Sequence, residues 1–155
     1  MKTLASVLVI LFSVLTEAQE LTIEKKAVKA AIEIFFEGFH KGDTTLIKQV
    51  LADRIVLQTA YKNKKGEAIL VTEEPEKLIK AIAERPETQK WDERLLSFNI
   101  QIDGLMAHVW TPYEFWFNDV FSHCGVNSFQ LFKDDEQWKI IYLIDTRRKE
   151  GCNQP

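Results

Sequence analysis

The chain has 155 residues, a single-domain length, and its 20 Lys and Arg against 23 Asp and Glu give a formal net charge of −3. That near balance argues against a nucleic-acid-binding surface, because basic residues gather into no stripe. The one local basic run, Lys62-Asn63-Lys64-Lys65-Gly66, reads as a solvated turn between two strands rather than a phosphate site.

In chain order, Met1-Lys2-Thr3 is followed by an apolar run from Leu4 to Leu15 and then by Thr16-Glu17-Ala18, a small-residue cleavage site. Residues 1–18 therefore read as a secretory signal peptide, residues 19–150 as one domain and residues 151–155 as a short tail. The apolar run is shorter than the roughly 20 residues of a spanning helix, so the expected mature protein is periplasmic or secreted, with no membrane attachment after cleavage. Cys124 and Cys152 would then lie in an oxidising compartment, where pairing is allowed but not required. Their spacing does not suit a zinc site, and a disulfide and two free thiols both stay open.

From Glu24 to His40, residues Val28, Ala31, Ile32, Phe35, Phe36 and Phe39 recur at helical spacing, and Lys41-Gly42-Asp43 supplies the stop. Asp43 is placed to cap a second, shorter helix with Leu46, Ile47, Val50 and Leu51 turned inward. Two strands, Ile55 to Tyr61 and Ala68 to Val71, flank the basic turn. Pro75 then opens a third helix that buries Leu78, Ile79 and Ile82 and stops at Pro86. Beyond Trp91 the period changes to 2, with Leu96, Phe98, Ile100 and Ile102 alternating against Ser97, Asn99, Gln101 and Asp103. Asp103-Gly104 and Asn118-Asp119 are candidate two-residue hairpin turns, giving a meander of four strands that closes with Trp138 to Arg147. Helices first and sheet last predict an α+β domain, with the helices packed on one face of a curved antiparallel sheet.

The helix, Gly-Asp turn, short helix, strand pair, third helix and final meander resemble the nuclear transport factor 2-like superfamily, a cystatin-like fold. The closer resemblance is to the bacterial branch labelled putative lumazine-binding. It is carried by Trp110-Thr111-Pro112-Tyr113-Glu114-Phe115, Ser122-His123-Cys124-Gly125-Val126-Asn127-Ser128-Phe129, Trp138-Lys139-Ile140 and Asp145-Thr146-Arg147-Arg148. The resemblance implies a cone-shaped sheet, helices on its concave face, a cavity inside and, often, a homodimer. Steroid isomerases of the superfamily depend on a tyrosine donor and a carboxylate base. Counted from the Gly-Asp turn, those positions fall at Phe35 and near Thr59, neither of which performs that chemistry.

Candidate ligand-binding residues are Trp110, Tyr113, Phe115, His123, Asn127 and Asp145, an aromatic set with a few polar anchors. His123 is the natural acid–base candidate, because an unperturbed imidazole titrates near neutrality. A two-residue turn at Asn118-Asp119 would set Glu114 opposite His123, but it would also put His123 with His108, Trp110 and Trp116 on the face opposite Tyr113 and Phe115. A bulge, for which Pro112 is a marker, would reverse that parity. The simpler readings are a strand histidine at His123, a surface histidine at His40 and a surface ion pair between Asp145 and Arg147. Ser122 lacks the glycine-flanked elbow of a hydrolase nucleophile, and Cys124 next to His123 would point to the opposite face.

Three functions follow. The favoured one is an exported module that binds a small apolar or flat molecule. The second is a lyase-, isomerase- or hydrolase-like enzyme using His123 with Glu114 or Asp145. The third is a homodimeric interaction module whose outward aromatics, Trp110 and Trp116, form the contact. No glycine-rich phosphate loop and no spaced ligand set occurs, so neither cofactor nor metal is expected.

Overall fold

A computed structural model of the chain describes residues 2–152, with side chains from residue 19 onward. The expected signal peptide thus rests on side chains outside the described residues, as does the end of the tail. No helix among the described residues is long and apolar enough to cross a membrane.

Helix α1 (Lys2–Lys41) begins well before the periodic segment and carries it to the Gly42 turn. Asp43 donates its backbone N–H to Gly38 O at 2.9 Å, while its side chain accepts from Thr45 N at 2.9 Å and Leu46 N at 3.3 Å, starting α2 (Thr44–Val50). The elbow is tight enough that a Cβ on Gly38 would lie 2.6 Å from Asp43 O, so glycine is required there by space. The rest of the chain forms β1 (Leu51–Lys62), β2 (Ala68–Glu73), α3 (Pro75–Ala83), β3 (Trp91–Leu95), β4 (Asn99–Asp103), β5 (Met106–Phe117), β6 (Val120–Asp134) and β7 (Gln137–Arg147).

The sheet order is β2-β1-β7-β6-β5-β3, with β4 also pairing β5. It is mixed rather than purely antiparallel, because β1 runs parallel to β7. A parallel neighbour needs a long connection, and here the whole meander lies between the two strands. The strand expected from Leu96 begins only at Asn99, as β4, and a separate strand, β3, precedes it at Trp91–Leu95. Leu96 N donates to Pro112 O at 2.9 Å, but Pro112 has no N–H to return, and the ladder opens there. The first meander turn falls one residue later than expected, on Gly104-Leu105, since Asp103 pairs with Met106. Asn118-Asp119 turns as expected, with φ of 51° and 62°, and Asp135-Glu136 makes the same kind of turn at 42° and 66°.

Register shifts between Phe115 and Trp116 of β5, and between Gln130 and Leu131 of β6, curl the sheet and change which residues face inward. Inside the curl, Val28, Ile32, Phe35 and Phe36 of α1 pack on Val109, Phe129, Leu131 and Ile140 of the sheet. Ile47 of α2 and Ile82 of α3 close the sides. Trp138 is buried at the far end, where its Nε1 donates to Glu24 Oε2 at 2.9 Å.

Candidate functional site

The apolar packing does not fill the curl. Where α1 ends, a cavity of about 770 Å³ remains between α1, α3 and the inner face of the sheet. One wall is aromatic: Phe39 lies 5.6 Å from Trp91 and 6.4 Å from Phe115 between ring centroids, and Phe115 lies 5.0 Å from the His123 ring. Leu57, Leu78 and Leu143 extend it with aliphatic surface, and Glu73 and Lys77 also border the cavity.

The opposite side is polar and internally bonded. Asp145, 9% exposed, accepts from Thr59 Oγ1 at 2.6 Å and from Arg147 Nε at 2.8 Å. Tyr113 shares its hydroxyl proton between Asp145 Oδ2 at 3.2 Å and Thr146 O at 3.0 Å. Asn127 donates to Glu93 Oε1 at 2.6 Å. Glu93 is half-buried and borders the cavity. Burial pushes its carboxyl up to about 8; the Asn127 hydrogen bond and Arg147 oppose this, and the charge of Asp145 adds to it. Burial likewise drives Tyr113 well above the ordinary phenol range, with Asp145 and Glu93 adding to the effect.

Two local features hold this floor. Gly125 faces β7 so closely that a Cβ would meet Thr146 O at 1.7 Å and Tyr113 Cε1 at 2.8 Å. Past the end of β7, Cys124 and Arg148 exchange backbone hydrogen bonds of 2.9 Å each, and a disulfide joins Cys124 to Cys152. The segment carrying Asp145 and Arg147 is therefore fixed on both sides.

Of the six candidate residues, Tyr113, Phe115, His123, Asn127 and Asp145 line the cavity together. Trp110 does not: it is 48% exposed on the outer face, opposite Ser128, because its neighbours Val109 and Thr111 take the inward positions. The parity conflict is resolved by the bulge, which lies not at Pro112 but at Ser122, unpaired between Phe121 opposite Trp116 and His123 opposite Phe115. His123 thereby joins Tyr113 and Phe115. Glu114 consequently sits opposite Cys124, accepts from Trp116 Nε1 at 3.3 Å and is no partner for His123. The imidazole contacts Ser122 Oγ through Nδ1 at 3.1 Å. Burial, then the charge of Arg147, lowers its pKa to about 4, so it is neutral near pH 7 and a weak base.

Asp145 and Arg147 pair at the edge of the cavity, with Asp145 buried and the Arg147 side chain half-exposed. His40 is likewise no simple surface residue, since its Nε2 accepts from Glu93 N at 3.0 Å and burial lowers its pKa. Phe35 and Thr59, the positions that lack isomerase groups, both line the cavity. Glu93 was missed by sequence reasoning. Its signal was available: Trp91-x-Glu93-x-Leu95 places an acid in the apolar phase of a strand. Among the described residues no group of three or more His, Cys, Asp or Glu is arranged to hold a metal ion.

Residues 23–142 match the family model described as putative lumazine-binding. The chain belongs to the putative lumazine-binding family. No curated protein matches it at a significant level. Among solved structures, a nuclear transport factor 2-like protein of unknown function from Shewanella baltica is 16% identical with a TM-score of 0.60, covering 83% of this chain and 97% of that one. A protein of unknown function from Mycobacterium tuberculosis is 14% identical with a TM-score of 0.67 over 86% of this chain and 77% of that one. A protein from Novosphingobium aromaticivorans described as a putative scytalone dehydratase is 10% identical with a TM-score of 0.66, covering 88% and 99%. At these identities the likeness is one of fold, the nuclear transport factor 2-like fold, which this member of the putative lumazine-binding family shares.

Proposed function

We propose that the protein is exported and that its cavity binds a small, flat, largely apolar molecule. The observation that carries this reading is the division of one 770 Å³ cavity into an aromatic wall and a polar floor whose groups already bond one another. Natural small-molecule sites have this size and this composition, with few polar groups that orient and much apolar surface that binds. The family description points to the same class of ligand. A His123-based enzyme is less well supported, because Glu114 faces away and the imidazole is held neutral.

Native mass spectrometry of protein recovered from an exporting host tests both halves. The expected polypeptide lacks residues 1–18 and carries a non-covalent passenger that leaves on denaturation. Recovery of the uncleaved chain would refute export. A protein that carries no passenger and is stabilised by no planar heterocycle in a thermal-shift screen would refute binding.

A second copy of the chain is the partner we propose for the outer face. Met106 and Phe132, paired across β5 and β6, are 54% and 43% exposed there, and Trp110 lies on the same face. A protein that sediments as a monomer at high concentration would rule this out.

A further inference from the structure

Glu93 has one carboxyl oxygen engaged and one free. Oε1 accepts from Asn127 Nδ2 at 2.6 Å, whereas Oε2 has no hydrogen-bond partner among the described residues. The only side-chain polar atom among those residues that is both fully buried and unpartnered is Thr111 Oγ1, so Glu93 Oε2 is open to the space beside it. Glu93 borders the cavity together with Asn127, and it also borders a second hollow lined by Glu33, Glu37, His40 and Lys41.

The surroundings decide which form of the carboxyl a ligand meets. Around Glu93 are Asp145 and Arg147 from β7, Tyr113 from β5, His123 from β6 and Glu33, Glu37, His40 and Lys41 from α1, and Glu73 and Lys77 also border the cavity. Arg147 is the cation whose charge favours ionised Glu93, but it is committed to Asp145, which it contacts at 2.8 Å. Neither histidine supplies charge near neutrality, because burial lowers both pKa values. Glu93 therefore holds its proton at pH 7, and with Oε1 accepting from Asn127, that proton sits on Oε2. The result is a donor in the cavity wall with no acceptor.

Taking the binding reading above as given, we propose that Glu93, held by Asn127, selects the ligand: an uncharged planar molecule whose carbonyl oxygen accepts the Glu93 O–H while its ring lies against Phe39, Trp91 and Phe115. An uncharged ligand fits because the fixed ion pair is already internally matched, and a further buried charge would have no partner. The carbonyl fits because it has lone pairs and no hydrogen of its own to compete with the donor.

The test uses 1-indanone and indane, which differ by the carbonyl, titrated into the full mature protein and followed by protein NMR. At about pH 6 the ketone should bind roughly tenfold tighter than the hydrocarbon, as one well-placed hydrogen bond allows. At about pH 9.5 most of that advantage should vanish, because the acid form of Glu93 becomes a minor population, while indane should be unchanged. Glu93→Gln, which keeps a side-chain N–H donor, should retain ketone binding at both pH values. Equal affinity for the two probes in the wild type, or the same pH dependence in Glu93→Gln, would overturn the proposal while leaving the cavity a binding site. If neither probe shifts cavity resonances, the binding reading fails and the proposal falls with it.

Discussion

Phe129 and Asn127 lie two positions apart on the inner face of β6, and they belong to different interiors. Phe129 is fully buried against Phe35 and Phe36 of α1, with ring centroids 6.4 and 6.2 Å away. Asn127 is almost as buried, yet it borders the cavity and spends its amide on a carboxyl. The change coincides with the end of α1, where the Gly38 elbow turns the chain into α2 instead of continuing the helix over the sheet. Depth alone thus does not make a core. What separates the two ends is whether a helix face arrives to fill the curl.

That contrast is sharpest in large-to-small substitutions. Phe129→Ala should cost about 4 kcal/mol, because it opens a cavity among side chains that are locked on all sides. Phe115→Ala should cost about 1 kcal/mol, because its ring already borders open space and only part of its packing is lost. Equal losses in denaturant unfolding would mean that the hollow end is packed like core. Next in size is Asp145→Ala, which leaves Arg147, Thr59 and Tyr113 without their shared acceptor. We expect a loss of about 2 kcal/mol, below the value for a fully buried pair because the Arg147 side chain is 50% exposed. A near-neutral result would show that the polar floor contributes nothing to stability and exists for binding alone.

The same division explains what the sequence made legible. The solid end rests on periodicity: Val28, Ile32, Phe35 and Phe36 on the helix and the alternation in the strands identify inward residues without reference to one another. The hollow end rests on parity across two bulges, which depends on pairing between distant strands. A count from the turn at Asn118-Asp119 is correct as far as Trp116 and wrong beyond it, because Ser122 is unpaired. Trp110 was expected either as a ligand contact or as an outward aromatic, since an aromatic residue on a strand has the same propensity whichever face it occupies, and it lies outward. Glu93 went unnoticed because its significance comes from Asn127 and Asp145, residues 34 and 52 positions away, and not from its neighbours in the chain.

A pH series separates the two titrating groups of the hollow end. Glu93 has its pKa raised from an ordinary 4.5 to about 8, so between those values the folded protein holds a proton that the unfolded chain has released. Its contribution to stability is fully present below about pH 4.5 and is lost as pH rises through about 8. His123 works in the other direction. With a pKa lowered from 6.5 to about 4, it remains neutral in the folded protein while the unfolded chain takes up a proton, so stability falls as pH drops through that window. Glu93→Gln should therefore gain on the wild type in urea midpoint as pH rises from about 5 to about 8.5 and keep the wild-type loss on the acid side. His123→Gln should do the reverse. If Glu93→Gln loses stability toward alkaline pH as steeply as the wild type, the carboxyl is ionised in the folded protein. In that case the polar floor is an ordinary solvated cluster, and the contrast between the two ends of β6 reduces to packing.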